Sequence, residues 1–131
     1  MRHAPALAAL LATFAAAPAL AGDAATMAPE TLAERLAWGD QSLVVLDVRS
    51  AEEYAEGHVA GARNIPHTQI AERVVELADA RDRDLVVYCR SGRRSEIALQ
   101  ALRDAGFTRL FHLEGDILRW TEEERPVVRG P

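Results

Sequence analysis

The chain contains one cysteine, and three arginines crowd it in the run Cys89-Arg90-Ser91-Gly92-Arg93-Arg94-Ser95. A thiol acts as a nucleophile through its thiolate, and an ordinary cysteine with a pKa of ~8.5 is mostly protonated at neutral pH. Cationic neighbours and the N–H groups of a helix N-terminus lower that value into a range of roughly 3.5–7.5. Both are expected here. The apolar run Leu85-Val86-Val87-Tyr88 precedes Cys89, and Ile97, Ala98, Ala101, Leu102 and Ala105 follow it at helical spacing, which predicts a strand, a tight loop and a helix. Cys89 then sits above a helix N-terminus, where unpaired N–H groups favour an anion. Gly92 adopts φ > 0 without steric cost and lets successive N–H groups turn inward as an anion-binding concavity. The chemistry implied is nucleophilic attack by Cys89 with the transferred group cradled by the loop. A buried structural cysteine beside a solvated basic edge is the weaker reading, because a lone thiol, a Ser-Gly turn and three arginines coincide.

The surrounding pattern supplies elements to hold that loop. Leu43-Val44-Val45-Leu46 is apolar at every position, as in an interior strand of a parallel sheet covered on both faces; Asp47 and Arg49 close it. Ser50-Ala51-Glu52-Glu53 has capping-box spacing and starts a short helix ending near Gly57, with Tyr54 inward. Pro29 suits a first helical position. Behind it, Leu32, Ala33, Leu36 and Ala37 form an apolar face, Gly39-Asp40 stops the helix, and Trp38 is expected to plug an edge of the core. Asn64-Ile65-Pro66 predicts a short strand ended by proline. A helix is expected from Gln69 with Ile70, Val74, Leu77 and Ala78 inward, and His67 before it at the surface. After the glycine stop at Gly106, Arg109–Leu113 forms a strand, and a last helix starts at Asp116, its expected N-cap. Strands alternating with helices give a single α/β domain with a mainly parallel sheet flanked by helices. His58 is a candidate general base for Cys89, but the arginines and helix terminus already account for a thiolate, and a structural role is favoured.

These residues resemble the rhodanese-domain sulfurtransferases, in particular single-domain exported members of the periplasmic phage-shock type. Asp47-Val48-Arg49, Glu53-Tyr54, Gly57-His58, Gly61-Ala62 and Asn64-Ile65-Pro66 look like the family's N-terminal signature, and the Cys89 segment like its active-site loop. Leu113-Glu114-Gly115 with Trp120 and Pro126-Val127 looks like its C-terminal end. Two positions depart from the family: Asp116 stands where a second glycine commonly follows Gly115, and the glycine often found near Arg125 is lacking. The resemblance implies that Cys89 takes the outer sulfur of thiosulfate or a similar anionic donor as a persulfide and passes it to a thiol, cyanide or a redox or sulfur-accepting protein. It implies no cofactor and no metal. Main-chain N–H groups from Arg90 to Ser95, with Gly92 between them, would hold the persulfide; Arg90, Arg93 and Arg94 would attract the donor; Ser91 and Ser95 would add hydrogen bonds. Asp47 and Arg49 would support the strand end. Two rivals remain. A phosphatase-like or arsenate-reducing loop resembles Cys-x5-Arg, whereas Arg94 makes this one Cys-x4-Arg, too tight a ring for a tetrahedral phosphate. A non-catalytic sulfur carrier or binding module would use the same loop.

Composition bounds the setting. Residues 1–21 read as a secretory signal peptide, with Arg2 and His3 before an Ala/Leu-rich core and Ala19-Leu20-Ala21 fitting an A-x-A cleavage site. The apolar stretch from Ala6 to Ala17 is shorter than the ~20 residues that span a bilayer, so no stable membrane anchor is expected, and Gly22 leaves no cysteine to carry a lipid. Residues 22–28 read as a flexible lead-in and 29–131 as the domain. The formal charge is −5, and an acidic domain with one small basic loop is not built for nucleic acid. A lone cysteine forbids an internal disulfide. These features predict an exported, periplasmic protein. N-terminal sequencing of the exported chain should return Gly22 first; full-length chain in the membrane fraction would contradict processing after Ala21.

Overall fold

The computed structural model describes residues 2–4 and 24–131, so most of the expected signal peptide and the first two residues of the lead-in lie outside the described residues. Strand β1 (Ala25–Met27) leads into helix α1 (Pro29–Ala37), then β2 (Leu43–Asp47), α2 (Ala51–Glu56) and β3 (Arg63–Asn64). A helical segment combines α3 (Ile70–Arg73) with flanking 3₁₀ turns at His67–Gln69 and Val74–Ala80. Strand β4 (Asp84–Tyr88), α4 (Arg93–Asp104), β5 (Leu110–Leu113) and α5 (Asp116–Glu122) complete the order. The sheet runs β1-β5-β4-β2-β3, with every strand pairing parallel.

Strand periodicity sorts the core into two layers, since successive side chains point to opposite faces. Val44, Leu46, Leu85, Val87 and Cys89 pack with Ile70, Leu77, Ala98 and Leu102 on one face. Leu43, Val45, Val86 and Tyr88 pack with Leu32, Ile117 and Trp120 on the other. Every residue of β2 is buried, as its continuous apolar run predicts. The Ser50 capping box is formed, with the Glu53 N–H donating to Ser50 Oγ at 3.2 Å and Glu53 Oε1 accepting the Ser50 N–H at 3.3 Å.

Four local expectations are corrected. The lead-in is not wholly unstructured: Ala25–Met27 pairs with β5, matching Thr26 to His112. Only Met27 of the three is buried, leaving too little alternation to mark a strand. Trp38 does not plug the core; it is 77% exposed at the C-cap of α1. In α4 the inward positions are Ala98, Leu99 and Leu102, while Ile97 is 49% exposed, so the helix is rotated relative to the face read from Ile97. In the segment after Arg73, Ala80 is buried and Ala78 is exposed. The 3₁₀ turn repeats every three residues, which puts Val74, Leu77 and Ala80 on the inward face and turns Ala78 outward.

Three helices end in the same way. In α1, α4 and α5 the N–H of the second residue past the C-cap reaches back to a carbonyl five residues earlier: Asp40 to Arg35, Phe107 to Leu102 and Arg125 to Trp120. This Schellman geometry needs a left-handed residue between, usually glycine. Gly39 and Gly106 fill that place in the first two, at φ 66° and 92°, but Glu124 fills it in the third at φ 56°. A side chain there costs roughly 1–2 kcal/mol. Glu124→Gly should therefore raise the urea midpoint, by about 1 kcal/mol in unfolding free energy after the added chain entropy is counted; a lowered midpoint would contradict the assignment.

Candidate functional site

Cys89 lies immediately past the C-terminal end of β4, between that strand and α4. The Gly92 N–H donates to Cys89 Sγ at 3.0 Å, so the loop folds back over its own sulfur. Gly92 has φ 121°, and a Cβ there would approach Asp116 Oδ2 to 3.2 Å and His112 Cε1 to 3.5 Å. Both the turn and the crowding behind it require glycine. Cys89 is 1% exposed, which puts its sulfur beneath the loop.

The loop is fastened from behind by the start of α5. Ile117 N–H donates to the Cys89 carbonyl at 3.1 Å and Leu118 N–H to the Arg90 carbonyl at 3.3 Å. Asp116 Oδ1 accepts the Cys89 N–H and the Ser95 hydroxyl, each at 2.9 Å, and His112 Nε2 lies 3.0 Å from both Asp116 oxygens. Burial opposes ionisation of Asp116, but His112, the Cys89 N–H and the Ser95 hydroxyl outweigh it and hold the carboxyl below its ordinary value. The hydrogen bond to Asp116 raises His112 above its ordinary value against the effect of burial. Asp116 is not the N-cap of α5. Gly115 holds that place, and Asp116 is the first helical residue, at φ 53°.

The other expected positions divide. Arg90, Ser91 and Arg93 are exposed around the loop, two of them cations open to an arriving anion. Arg94 is turned aside into a two-pronged ion pair with Glu53 of α2, at 2.6 and 2.9 Å, and Ser95 is fully buried with its hydroxyl committed to Asp116. Asp47 and Arg49 form a buried pair at 2.6 Å. Arg49 also donates to the Gly57 carbonyl at 2.7 Å, and Asn64 Nδ2 donates to the Asp47 and Arg49 carbonyls at 3.0 Å each, which ties the end of β2 to the segments beside it. His58 stacks on Tyr54 with ring centroids 3.5 Å apart, its Nδ1 is 2.7 Å from the Tyr54 carbonyl, and its backbone pairs with Val128. No hydrogen bond joins it to Cys89 among the described residues. The pattern of residues did not single out His112, nor the bond between Glu53 and Arg94; the one available signal was Asp116 itself, standing at a position where the family usually has glycine.

Fold and loop together define an α/β domain that presents a single cysteine in a tight turn between a strand and a helix. Residues 28–123 match the family described as the rhodanese-like domain, and the chain belongs to it. It is 36% identical over 99 residues to a sulfurtransferase of Allochromatium vinosum, covering 76% of this chain and 90% of that protein. It is 35% identical over 82 residues to the putative sulfur carrier protein YrkF of Bacillus subtilis, covering 63% of this chain and 43% of that longer protein. The crystal structure of a rhodanese-related protein from Thermoplasma volcanium superposes with a TM-score of 0.70 at 32% identity, over 80% of this chain and 98% of that one. Sulfur transfer in general is the activity these relationships support.

The Arg94 pair gives the domain an acid limb. Its hydrogen bonds, with help from Ser50 and against burial, lower the Glu53 carboxyl from 4.5 to about 2. A depressed carboxylate contributes stability that is complete above about 4.5 and is lost as pH falls through about 2. Chemical denaturation of wild type and Glu53→Gln across that range should show wild type losing the larger amount, on the order of 1 kcal/mol once solvent screening is discounted. Parallel curves would contradict the pairing.

Proposed function

We propose that the protein is a sulfurtransferase that moves sulfane sulfur from thiosulfate or a similar anionic donor to a thiophilic acceptor through a persulfide on Cys89. The observation that carries this reading is the Gly92 N–H on Cys89 Sγ at 3.0 Å, at a strand end above a helix N-terminus. In the first step Cys89 thiolate attacks the outer sulfur of thiosulfate. A new S–S bond forms, the old one breaks, and its electron pair leaves on sulfite. In the second, cyanide or a thiolate attacks the outer sulfur of the persulfide, and the Cys89 thiolate leaves as product departs. The enzyme is unchanged over the cycle, and ping-pong kinetics follow. Gly92 and its neighbouring N–H groups stabilise the sulfur anion, while exposed Arg90 and Arg93 draw in the donor.

The position of Arg94 argues against a phosphatase-like or arsenate-reducing site. Such a loop needs its arginine on the equatorial oxygens of the transferred group, and here that guanidinium is engaged by Glu53. The carrier reading has one specific support: Cys89 is buried, which suits a sulfur that waits for a partner protein. Replacing Cys89 by serine should reduce thiosulfate:cyanide turnover to background with an unchanged circular-dichroism spectrum; a retained rate would overturn the assignment. Multiple turnovers by wild type support the enzyme, whereas transfer of a single sulfur per chain, released only to a protein thiol, supports the carrier.

A further inference from the structure

Asp116 puts a carboxylate where an anion-binding loop tolerates one least. It is 1% exposed, accepts the N–H of Cys89 itself, and lies against Gly92, whose own N–H reaches the sulfur. A fixed negative charge there opposes both a sulfur anion on Cys89 and an anionic donor, and does so strongly because little water screens it. His112 supplies the opposing charge. With Nε2 within 3.0 Å of both carboxylate oxygens, Nε2 carries a proton in either state of the ring, and the second proton adds at Nδ1, which makes no hydrogen bond among the described residues. The side chain is 22% exposed, so that proton exchanges with solvent.

We propose that His112 and Asp116 are positioning residues, a charge-compensated pair that braces the Cys89 loop and sets the upper pH limit at which the loop accepts an anionic ligand. While His112 is protonated the pair is neutral, and Asp116 serves the loop as a hydrogen-bond acceptor without a net field. When His112 loses its second proton, a full negative charge is left behind the cradle. Affinity for an anionic donor then falls as pH rises, opposite to the gain expected from thiolate formation. The other groups facing His112 are Glu96 and Arg103 of α4, which line a cavity of about 410 Å³ with it, and uncharged Thr26 of β1. Glu96 favours the protonated ring. The raised position of His112 and the lowered one of Asp116 place the compensated window from below 3.8 to above 6.5.

The backbone supplies the control. Asp116 is in the left-handed region at φ 53°, which aspartate, asparagine and glycine accept. Asp116→Asn therefore keeps the conformation and the oxygen acceptor but removes the charge. His112 ring and Cys89 and Gly92 amide shifts should be titrated by NMR in both proteins, with the KM for thiosulfate measured over the same range. The inference predicts a His112 midpoint above 6.5 in wild type, loop amides that follow it, and a KM that rises about tenfold through it with a smaller change in kcat. In Asp116→Asn the His112 midpoint should fall and that rise in KM should disappear. His112→Gln, with the carboxylate uncompensated at all pH values, should show the high KM throughout. The activity arm rests on the sulfur-transfer reading, and the NMR arm does not. If thiosulfate is no substrate, its Kd from the loop amide shifts replaces KM, and that reading fails alone. A His112 midpoint unchanged in Asp116→Asn, loop amides that ignore the titration, or flat thiosulfate affinity in wild type would each overturn the pair.

Discussion

A turn that points its N–H groups at an anion must send its carbonyls elsewhere, because a buried backbone group without a partner is costly. The whole C-terminal third of the molecule answers that constraint. The Cys89 and Arg90 carbonyls are taken by the first-turn N–H groups of α5, so α5 has to begin directly behind the loop. β5 lies parallel to β4 and delivers the chain to that place. Gly115 makes the corner at φ 76°, where a Cβ would collide with the Arg119 side chain. Trp120, 1% exposed, then anchors the helix in the core, and its indole N–H donates to the Pro126 carbonyl at 2.9 Å.

A second set of fastenings keeps the neighbouring strand end in register with the loop. Asp47 and Arg49 close β2, Asn64 bridges their carbonyls, and Arg49 continues to Gly57. Glu53 links this assembly to α4 through Arg94 while also completing the Ser50 cap. The Glu53–Arg94 pair is partly exposed, and solvent screening leaves such a pair little net stability. Its geometry nonetheless couples α2, β2 and α4, so the strand end beside the loop and the helix that follows the loop are fixed to one another.

Much of this was legible in the residues because the relevant signals are local. Continuous apolar runs bounded by Asp47 and Cys89 mark β2 and β4, Ser50 and Glu53 mark a cap, and Gly39 and Gly106 mark helix ends. What the pattern concealed depends on geometry across elements. Helical spacing admits either Ile97 or Leu99 as inward, and only packing against β4 and β5 chooses. A 3₁₀ segment shifts the buried face from Ala78 to Ala80 without any change in composition. Arg94 reads as one more cation at the loop until α2 places Glu53 beside it. Ser95 reads as a loop hydroxyl until Asp116 is found beneath it. The two departures from the family's glycine pattern carried more than they disclosed: Asp116 and Glu124 are the two non-glycine residues with positive φ among the described residues, and one of them sits behind the sulfur.

The central claim is that Cys89 accepts and holds one sulfur atom, and intact-mass measurement after thiosulfate treatment tests it most directly. The account predicts the addition of one sulfur per chain, lost on treatment with cyanide or dithiothreitol and absent from Cys89→Ser. An unmodified mass after saturating thiosulfate, or the same added sulfur in Cys89→Ser, would contradict it.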